Sequence, residues 1–505
     1  MKRNGKFSFP RMIISGVLAV LVAFSGTLIS SSILGKKESH EPVVKEQYVN
    51  SNATKVRISL DEFIGWKPLL YANGGLVTTV DSINARNGIC VEYVIMNDAN
   101  NSSNALISGE LQGAGYTVNR YAFLQSKFDE AGVEVTMPYI TNYSNGGDGI
   151  IVTNSIKSVE DLIEKRIAVP RYSEAQTLLE WLIRNSSLTD EEVESIRKNM
   201  IYFETADDTA KAFFSGSVDA AATWEPYLTQ AASSTDSRIL FDTSMGTNLI
   251  LDGVIFRNDF IAENEDFIVK FIDGALEARE MYEREVDSIR AMPMFELMTS
   301  KEILEMCKGA SLATWADNVS LLSNGAVEMY KEMANIWISI GEEANPKKAT
   351  SAFTNRYVNM LTGKYPVDEV TSFAFSKEGR DAAQQLSNNS ALLSKTLNIE
   401  FEVDSYKISR DSYQMLNEFA NTAQVLNGVY IQIEGNTAKV QGDDGIEFSY
   451  SRALSVAKYL QALGVDSRRF IIIGNGDTKP VADNETEEGR QRNRRTEVFF
   501  KVIGY

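Results

Sequence analysis

The fold is written in a stretch that occurs twice. Ala105-Leu106-Ile107-Ser108-Gly109-Glu110-Leu111-Gln112-Gly113-Ala114 is echoed by Ala212-Phe213-Phe214-Ser215-Gly216-Ser217-Val218-Asp219-Ala220-Ala221. Each reads as a helix end, a Ser-Gly stop and a short strand, because glycine just past a helix can take the left-handed conformation that closes it. A second echo, Asp148-Gly149-Ile150-Ile151-Val152 against Asp252-Gly253-Val254-Ile255-Phe256, has an offset of 104 residues, where the first has 107. Two matches at nearly one spacing indicate two similar α/β lobes.

The surrounding patterns agree. Val56–Phe63, Gly88–Met96, Arg166–Pro170 and Ser237–Asp242 read as strands, and Ser158–Lys165 and Glu174–Asn185 as helices. This alternation implies parallel sheets with helices on both faces. Ligands of such sheets sit beyond the carboxyl ends of the strands, which for two lobes is the cleft between them. Residues 258–361 read as mostly helical, through Glu265–Glu285, Lys301–Leu312 and Gly325–Gly341, with apolar positions every three or four residues.

Composition removes several function classes. The chain has 505 residues, enough for two or three domains, and a formal net charge of −18, which argues against nucleic acid as a partner. Its single histidine, His40, lies in a polar stretch near the N-terminus, which disfavours a histidine base, a Ser–His–Asp triad or a histidine-rich metal site. Cys90 and Cys307 form no CxxC and read as two reduced core cysteines, with one disulfide as the alternative. No catalytic residue, metal site or cofactor is assigned, and the chain is not expected to be an enzyme.

Residues 1–11 carry Lys2, Arg3, Lys6 and Arg11, and Met12–Leu34 then runs 23 residues without a charge. That length crosses a membrane as a helix. The basic flank places the N-terminus in the cytoplasm and the bulk of the chain outside, on the periplasmic or cell-wall side. A single-pass signal anchor is preferred to a cleaved signal peptide, because the apolar run is long for the latter and lacks an A-x-A site. Residues 35–54 read as a flexible spacer.

Residues of about 55–365 resemble a type II periplasmic solute-binding protein, closest to the receptors for sulfonates, nitrate and thiamine precursors. The resemblance rests on Gly65-Trp66-Lys67-Pro68 after the first strand, the Ala-x-x-Ser-Gly turn, Gly147–Val152, Ser158–Leu162 and Trp224-Glu225-Pro226. It implies a second lobe at about 153–251, a hinge at Asp148–Val152 and Asp252–Phe256, a small-molecule solute as ligand and an ABC permease as partner. A pyrimidine-forming enzyme branch exists, but its chemistry consumes a histidine that this domain lacks. Candidate solute contacts are loop residues at the strand ends: Trp66, Lys67, Asn97, Asp98, Asn142, Tyr143, Ser144, Arg171, Tyr172, Ser173, Trp224, Glu225 and Asp252. Arg171 beside a helix N-terminus suits an anion, whereas Glu225, Asp98 and Asp148 suit an amine. The expected solute is therefore anionic or zwitterionic.

Residues 366–393 read as a linker with one short helix. Residues 394–505 give β-α-β-α-β-β, with strands at Leu397–Val403, Gly428–Glu434, Phe470–Ile473 and Thr496–Val502 and helices at Arg410–Val425 and Ser449–Leu463. This α+β domain resembles the OmpA-like peptidoglycan-binding domain through Ile433–Thr437, Ser449-x-x-Arg452-Ala453, Gly474-x-Gly476-x-x-x-Pro480 and Gly489-Arg490-x-x-Asn493-Arg494-Arg495-x-Glu497. The resemblance implies a grip on diaminopimelate by an Asp and an Arg. The Arg maps to Arg452, and Asn436 and Thr437 of the Gly-x-Thr motif are the other candidate contacts. The Asp position holds Ala438 and an expected Asn position holds Gly445, leaving Asp443 or Asp444 as substitutes. The expectation is a two-lobed α/β periplasmic-binding-protein fold, a C-terminal OmpA-like domain and one transmembrane helix. The expected function is a membrane-anchored importer receptor held at the cell wall, or alternatively a wall-associated scaffold or ligand sensor.

Overall fold

The computed structural model describes residues 46–48, 55–246, 249–281, 284–366, 377–388, 391–397, 399–402, 405–439 and 445–502. The candidate anchor Met12–Leu34, His40, Asp443 and Asp444 lie outside the described residues. Among the described residues no helix is long and apolar enough to cross a membrane.

Strands run in chain order as β1 (Lys55–Leu60), β2 (Cys90–Ile95), β3 (Gly113–Thr117), β4 (Val135–Ser144), β5 (Asp148–Thr153), β6 (Ile167–Pro170), β7 (Met200–Phe203), β8 (Ala220–Trp224), β9 (Ser237–Asp242), β10 (Leu251–Arg257), β11 (Ala310–Leu312), β12 (Leu393–Leu397), β13 (Tyr430–Gly435), β14 (Phe470–Gly474) and β15 (Thr496–Lys501). They form three sheets, ordered β11-β4-β10-β3-β1-β2, β7-β6-β8-β5-β9 and β12-β15-β13-β14. The first two belong to the two lobes. Chain order shows why there are two links between them: β4 ends in the first sheet and β5 begins in the second, and β9 ends in the second and β10 begins in the first.

Both echoes have structural counterparts. Helices α2 (Ala99–Ile107) and α5 (Ala206–Phe214) precede β3 and β8, and Gly109 and Gly216 after them have φ of 79° and 74°. A side chain is strained there, so the Ser-Gly stop is a conformational requirement. The second echo is the pair of crossing strands: β5 lies between β8 and β9, and β10 between β3 and β4, antiparallel to both neighbours in each case. The lobe sheets are therefore mixed rather than wholly parallel. Each crossing strand enters its sheet from the other lobe and runs against the strands already there.

Other helices that matter below are α1 (Lys67–Asn73), α3 (Val118–Glu130), α4 (Glu174–Arg184) and α6 (Ala326–Ser339) in the two-lobed part, and α7 (Tyr413–Val425) and α8 (Ile446–Ala462) in the C-terminal domain. The core is rich in large side chains, among them Trp66, Trp181 and Trp337, each 1% exposed. Cys90 and Cys307 are buried and unpaired with each other.

Four segments depart from the sequence reading. The helix expected over Glu265–Glu285 ends at Ala278 and is followed by a 3-10 turn at Arg279–Met281. Ser158–Lys165 holds only a 3-10 turn at Glu160–Leu162, because Ile163 is extended. The helix expected over Lys301–Leu312 ends at Cys307, and Ala310–Leu312 instead pairs with β4. In the C-terminal domain the first strand is Leu393–Leu397, not Leu397–Val403, since it is Leu393 and Leu397 that pair with Phe500 and Thr496.

The C-terminal domain also touches the second lobe at the end of α7. Thr422 Oγ1 donates to Asn185 Oδ1 at 3.0 Å. Gly428 N donates to Met245 O at 3.0 Å, within the β9–β10 link.

Candidate functional site

The edge of the first-lobe sheet that meets the second lobe carries a row of four polar side chains. Asp252 on β10 is the Cα partner of Thr117 on β3 and of Asn142 on β4. Ser144 lies two residues beyond Asn142, so the period of the strand puts it on the same face. The row therefore reads Thr117, Asp252, Asn142, Ser144.

Its two ends grip carboxylates that the second lobe supplies. Thr117 Oγ1 accepts from Arg120 N at 3.0 Å, capping α3, and donates to Glu174 Oε1 at 2.9 Å. Arg120 adds an ion pair to Glu174 Oε2 at 2.9 Å. At the other end Ser144 Oγ donates to Asp148 Oδ2 at 2.7 Å and lies 2.7 Å from Thr243 Oγ1. Asn119 Nδ2 donating to Thr177 Oγ1 at 2.8 Å, and Tyr172 stacked on Phe123 at 5.2 Å, join α3 to the second lobe. The two lobes are thus in contact along this edge.

The middle of the row is unsatisfied. Asn142 is 0% exposed and neither Oδ1 nor Nδ2 has a hydrogen-bond partner among the described residues; Asp252 is 3% exposed and its Oδ2 has none. Buried polar groups are ordinarily paired, so three such atoms side by side mark a place built to hold something else.

The electrostatics are acidic. Burial, and then the charges of Asp61, Glu174 and Asp148, raise the Asp252 carboxyl well above the usual carboxylate range. Asp148 is pushed up to about 7 by burial, against the Ser144 hydrogen bond and with help from Glu174 and Glu225. Asp61, which accepts from Trp66 Nε1 at 2.6 Å, is also raised, chiefly by burial and in spite of Arg120. Burial disfavours the Arg120 cation, but Glu174 and Asp61 outweigh it and hold the guanidinium above its usual range.

Of the residues expected to touch a solute, the structure brings Asn142, Ser144 and Asp252 together, with Trp66 joined through Asp61. Trp224 is the Cα partner of Asp148. Tyr143 faces Leu251 across β4 and β10. Lys67 opens α1 and is 1% exposed. Asn97 pairs with Glu62 at 2.7 Å, and Asp98 caps α2 by accepting from Asn101 N. Ser173 caps α4, accepting from Gln176 N at 3.2 Å. Glu225 accepts from Thr229 N and Oγ1 at 3.1 and 2.9 Å. Arg171 is exposed and lies over Tyr202 at 4.9 Å and Tyr172 at 5.5 Å. Asp61, Thr117, Arg120 and Glu174 are the site residues that sequence reasoning missed.

In the C-terminal domain Arg452 lies over Phe448 at 4.4 Å and Phe401 at 4.6 Å and donates to Ser405 O at 3.3 Å. It lines a narrow crevice with Phe401, Asn436, Arg494 and Arg495. Asn436 accepts from Asn475 and donates to Glu497 at 3.2 Å, and Thr437 N donates to Gly476 O. Gly445 has φ 67°, and a Cβ there would stand 2.5 Å from Thr437 Oγ1. The glycine in place of the family asparagine is thus matched to its neighbour. Beneath the crevice Glu434, 1% exposed, accepts from Asn388, Asn475 and Lys479 at 2.8, 2.6 and 2.7 Å. Burial alone would raise its carboxyl, but these bonds hold it below the usual range.

Residues 85–282 match the family model described as NMT1/THI5 like, and residues 400–494 match the OmpA family. Outer membrane protein A of Bordetella avium is 34% identical over 105 residues, which cover 21% of this chain and 53% of that protein. Peptidoglycan-binding protein ArfA of Mycobacterium tuberculosis is 35% identical over 102 residues, covering 20% of this chain and 31% of that protein. The chain thus spans about half the length of the first of these relatives and less of the second. Among solved structures, the periplasmic aliphatic sulphonate binding protein SsuA from Escherichia coli aligns at 17% identity with a TM-score of 0.46, covering 60% of this chain and 98% of that one. The chain joins a two-lobed α/β domain that matches the NMT1/THI5-like model to a C-terminal domain that matches the OmpA model.

Proposed function

We propose that the chain is an extracytoplasmic solute receptor: the two lobes close on a small polar solute, and the closed form is what an ABC permease reads. The observation that carries this reading is the row Thr117–Asp252–Asn142–Ser144, whose ends are held by carboxylates of the opposite lobe while its buried centre stays unpaired. Two inter-lobe links bound by antiparallel strands provide the hinge for such a closure. The apolar run Met12–Leu34 tethers the receptor to the membrane, and the OmpA-family domain holds it at peptidoglycan, with Arg452, Asn436 and Thr437 at the contact. The bulk of the chain then lies in the cell envelope, outside the membrane.

The test is thermal unfolding of the full chain, freed of bound solute, against a panel of small polar solutes of both charge signs. A solute at about 100 times its dissociation constant adds about 2.7 kcal/mol. A clear shift supports a receptor. The absence of any shift from folded, solute-free protein would refute it.

A second reading, a wall-associated ligand sensor, is favoured by one observation. The α7 end contacts Met245 in the β9–β10 link, so lobe movement reaches the OmpA-family domain directly. A receptor complex isolated with a permease would decide for import.

A further inference from the structure

The row at the cleft carries an inference about the chemistry of the solute, and it rests on the receptor reading above. Asp61, Asp148, Glu174 and Asp252 contribute four carboxyl groups, all coupled electrostatically, and the cation among them is Arg120. Arg120 is already spent on Glu174, at 2.9 Å. Lys67, buried at the start of α1, is itself engaged. Arg171, the residue that would welcome an anion, lies on Tyr202 and Tyr172 at the second lobe and has no tie to the row. An anionic solute entering this cleft would meet four carboxyl groups and, among the described residues, no guanidinium that is not already engaged.

The unpaired atoms specify the complement. Asp252 Oδ2 and Asn142 Oδ1 have no donor and Asn142 Nδ2 has no acceptor, and an entering cation favours the ionised, accepting form of the raised Asp252 carboxyl. All three belong to neighbouring residues of adjacent strands, which face the same way. Gly65 lets the backbone approach Asn142 closely: a Cβ there would stand 2.3 Å from Asn142 Nδ2 and 2.4 Å from Phe63 Cε1. Aromatic rings border the same set, since Trp66 donates to Asp61 and Trp224 pairs with Asp148, and aromatic faces attract cations.

We propose that the cleft takes a small organic cation whose charged nitrogen carries N–H groups. Asp252 Oδ2 and Asn142 Oδ1 accept from that nitrogen, and Asn142 Nδ2 donates to an oxygen on the same solute. Asp148 and Asp61 supply the remaining negative charge, and Ser144 and Thr117 hold the lobes shut around it.

The experiment uses the full chain, exchanged free of bound solute, at pH 8. Its probes are ethanolamine, agmatine and putrescine as N–H cations, choline as a cation without N–H, and methanesulfonate and inorganic phosphate as anions. Affinities are read by thermal shift and calorimetric titration. The expected result is a shift with at least one N–H cation and none with either anion. Asp252→Asn should weaken that cation at least tenfold while the ligand-free melting temperature holds or rises. Asn142→Leu serves as the second variant and should weaken it as well. Binding of methanesulfonate or phosphate with the amines silent would overturn the cation assignment and leave the receptor reading standing. Amine binding unchanged in both variants would also overturn it, by placing the amine elsewhere. Choline binding as well as ethanolamine would remove the N–H requirement. Silence from every amine on folded protein would overturn the cation assignment and leave the receptor reading to the wider solute panel.

Discussion

Asp148→Asn should flatten the pH dependence of stability of the solute-free protein. The Asp148 carboxyl has an ordinary value of 3.8 and is pushed up to about 7 in the fold. A carboxyl raised on folding contributes stability that is fully present below 3.8 and lost as pH rises through 7. Between pH 5 and pH 8 the loss works out to about 2.6 kcal/mol for this one group. Asparagine does not titrate, and its Oδ1 keeps the acceptor for Ser144 Oγ. Glu174 and Glu225, which face Asp148, and the neighbouring Asp252 are present in both proteins, so their contributions largely cancel in the comparison. The assay is denaturant unfolding of wild type and variant at pH 5, 6, 7 and 8, in citrate–phosphate to keep amines and sulfonates out of the cleft. The two stability curves should diverge as pH rises, with the variant the more stable at pH 8. Parallel curves would refute the reasoning, because Asp148 would then be as well solvated in the fold as in the unfolded chain.

Further outcomes follow from other contacts. Glu174→Ala removes the partner of both Thr117 and Arg120 and leaves a largely buried guanidinium, so it should open the lobes and raise the radius of gyration in solution scattering, at a cost of about 1–3 kcal/mol. Gly445→Ala places a Cβ against Thr437 Oγ1 in a left-handed backbone, and should cost the C-terminal domain about 1–2 kcal/mol in urea unfolding. Arg469→Met takes away donors to the carbonyls of Ala423, Leu426 and Val429 in a residue 2% exposed. Leaving those carbonyls unpaired should cost about 3 kcal/mol, read as earlier melting of the C-terminal domain. Arg452→Ala should lower retention on purified sacculi; equal retention of wild type and variant would take Arg452 out of the contact.

The repeat made the lobes legible because it records real geometry. The Ser-Gly turns need glycine at positive φ, and the two Asp-Gly segments are the crossing strands. Asn142, Ser144 and Asp252 were readable as residues at the ends of strands. Asp61, Thr117, Arg120 and Glu174 were not. In a chain with 68 acidic residues, an aspartate after a strand or a glutamate opening a helix carries no signal of its own. Only the contact between the lobes brings Glu174 to Thr117, 57 positions away. Arg171 stood out by its place before a helix, but Tyr202, over which it lies, is brought there by the pairing of β6 with β7, which local pattern does not reveal. The first strand of the C-terminal domain was misplaced for a related reason. Alternation in Leu397–Val403 imitates a strand, whereas Leu393–Leu397 becomes one by pairing with β15.

The central claim, that the lobes close on a solute, is tested most directly by a distance across the cleft. Val80 and Ile201, 41% and 42% exposed, stand on the first and second lobes and accept spin labels as Val80→Cys and Ile201→Cys, while Cys90 and Cys307 are buried. Double electron–electron resonance would follow their separation as a bound solute from the panel is added. The account predicts a broad or long distance without solute that narrows to one distance with it. A distribution that stays the same at saturating solute would contradict it.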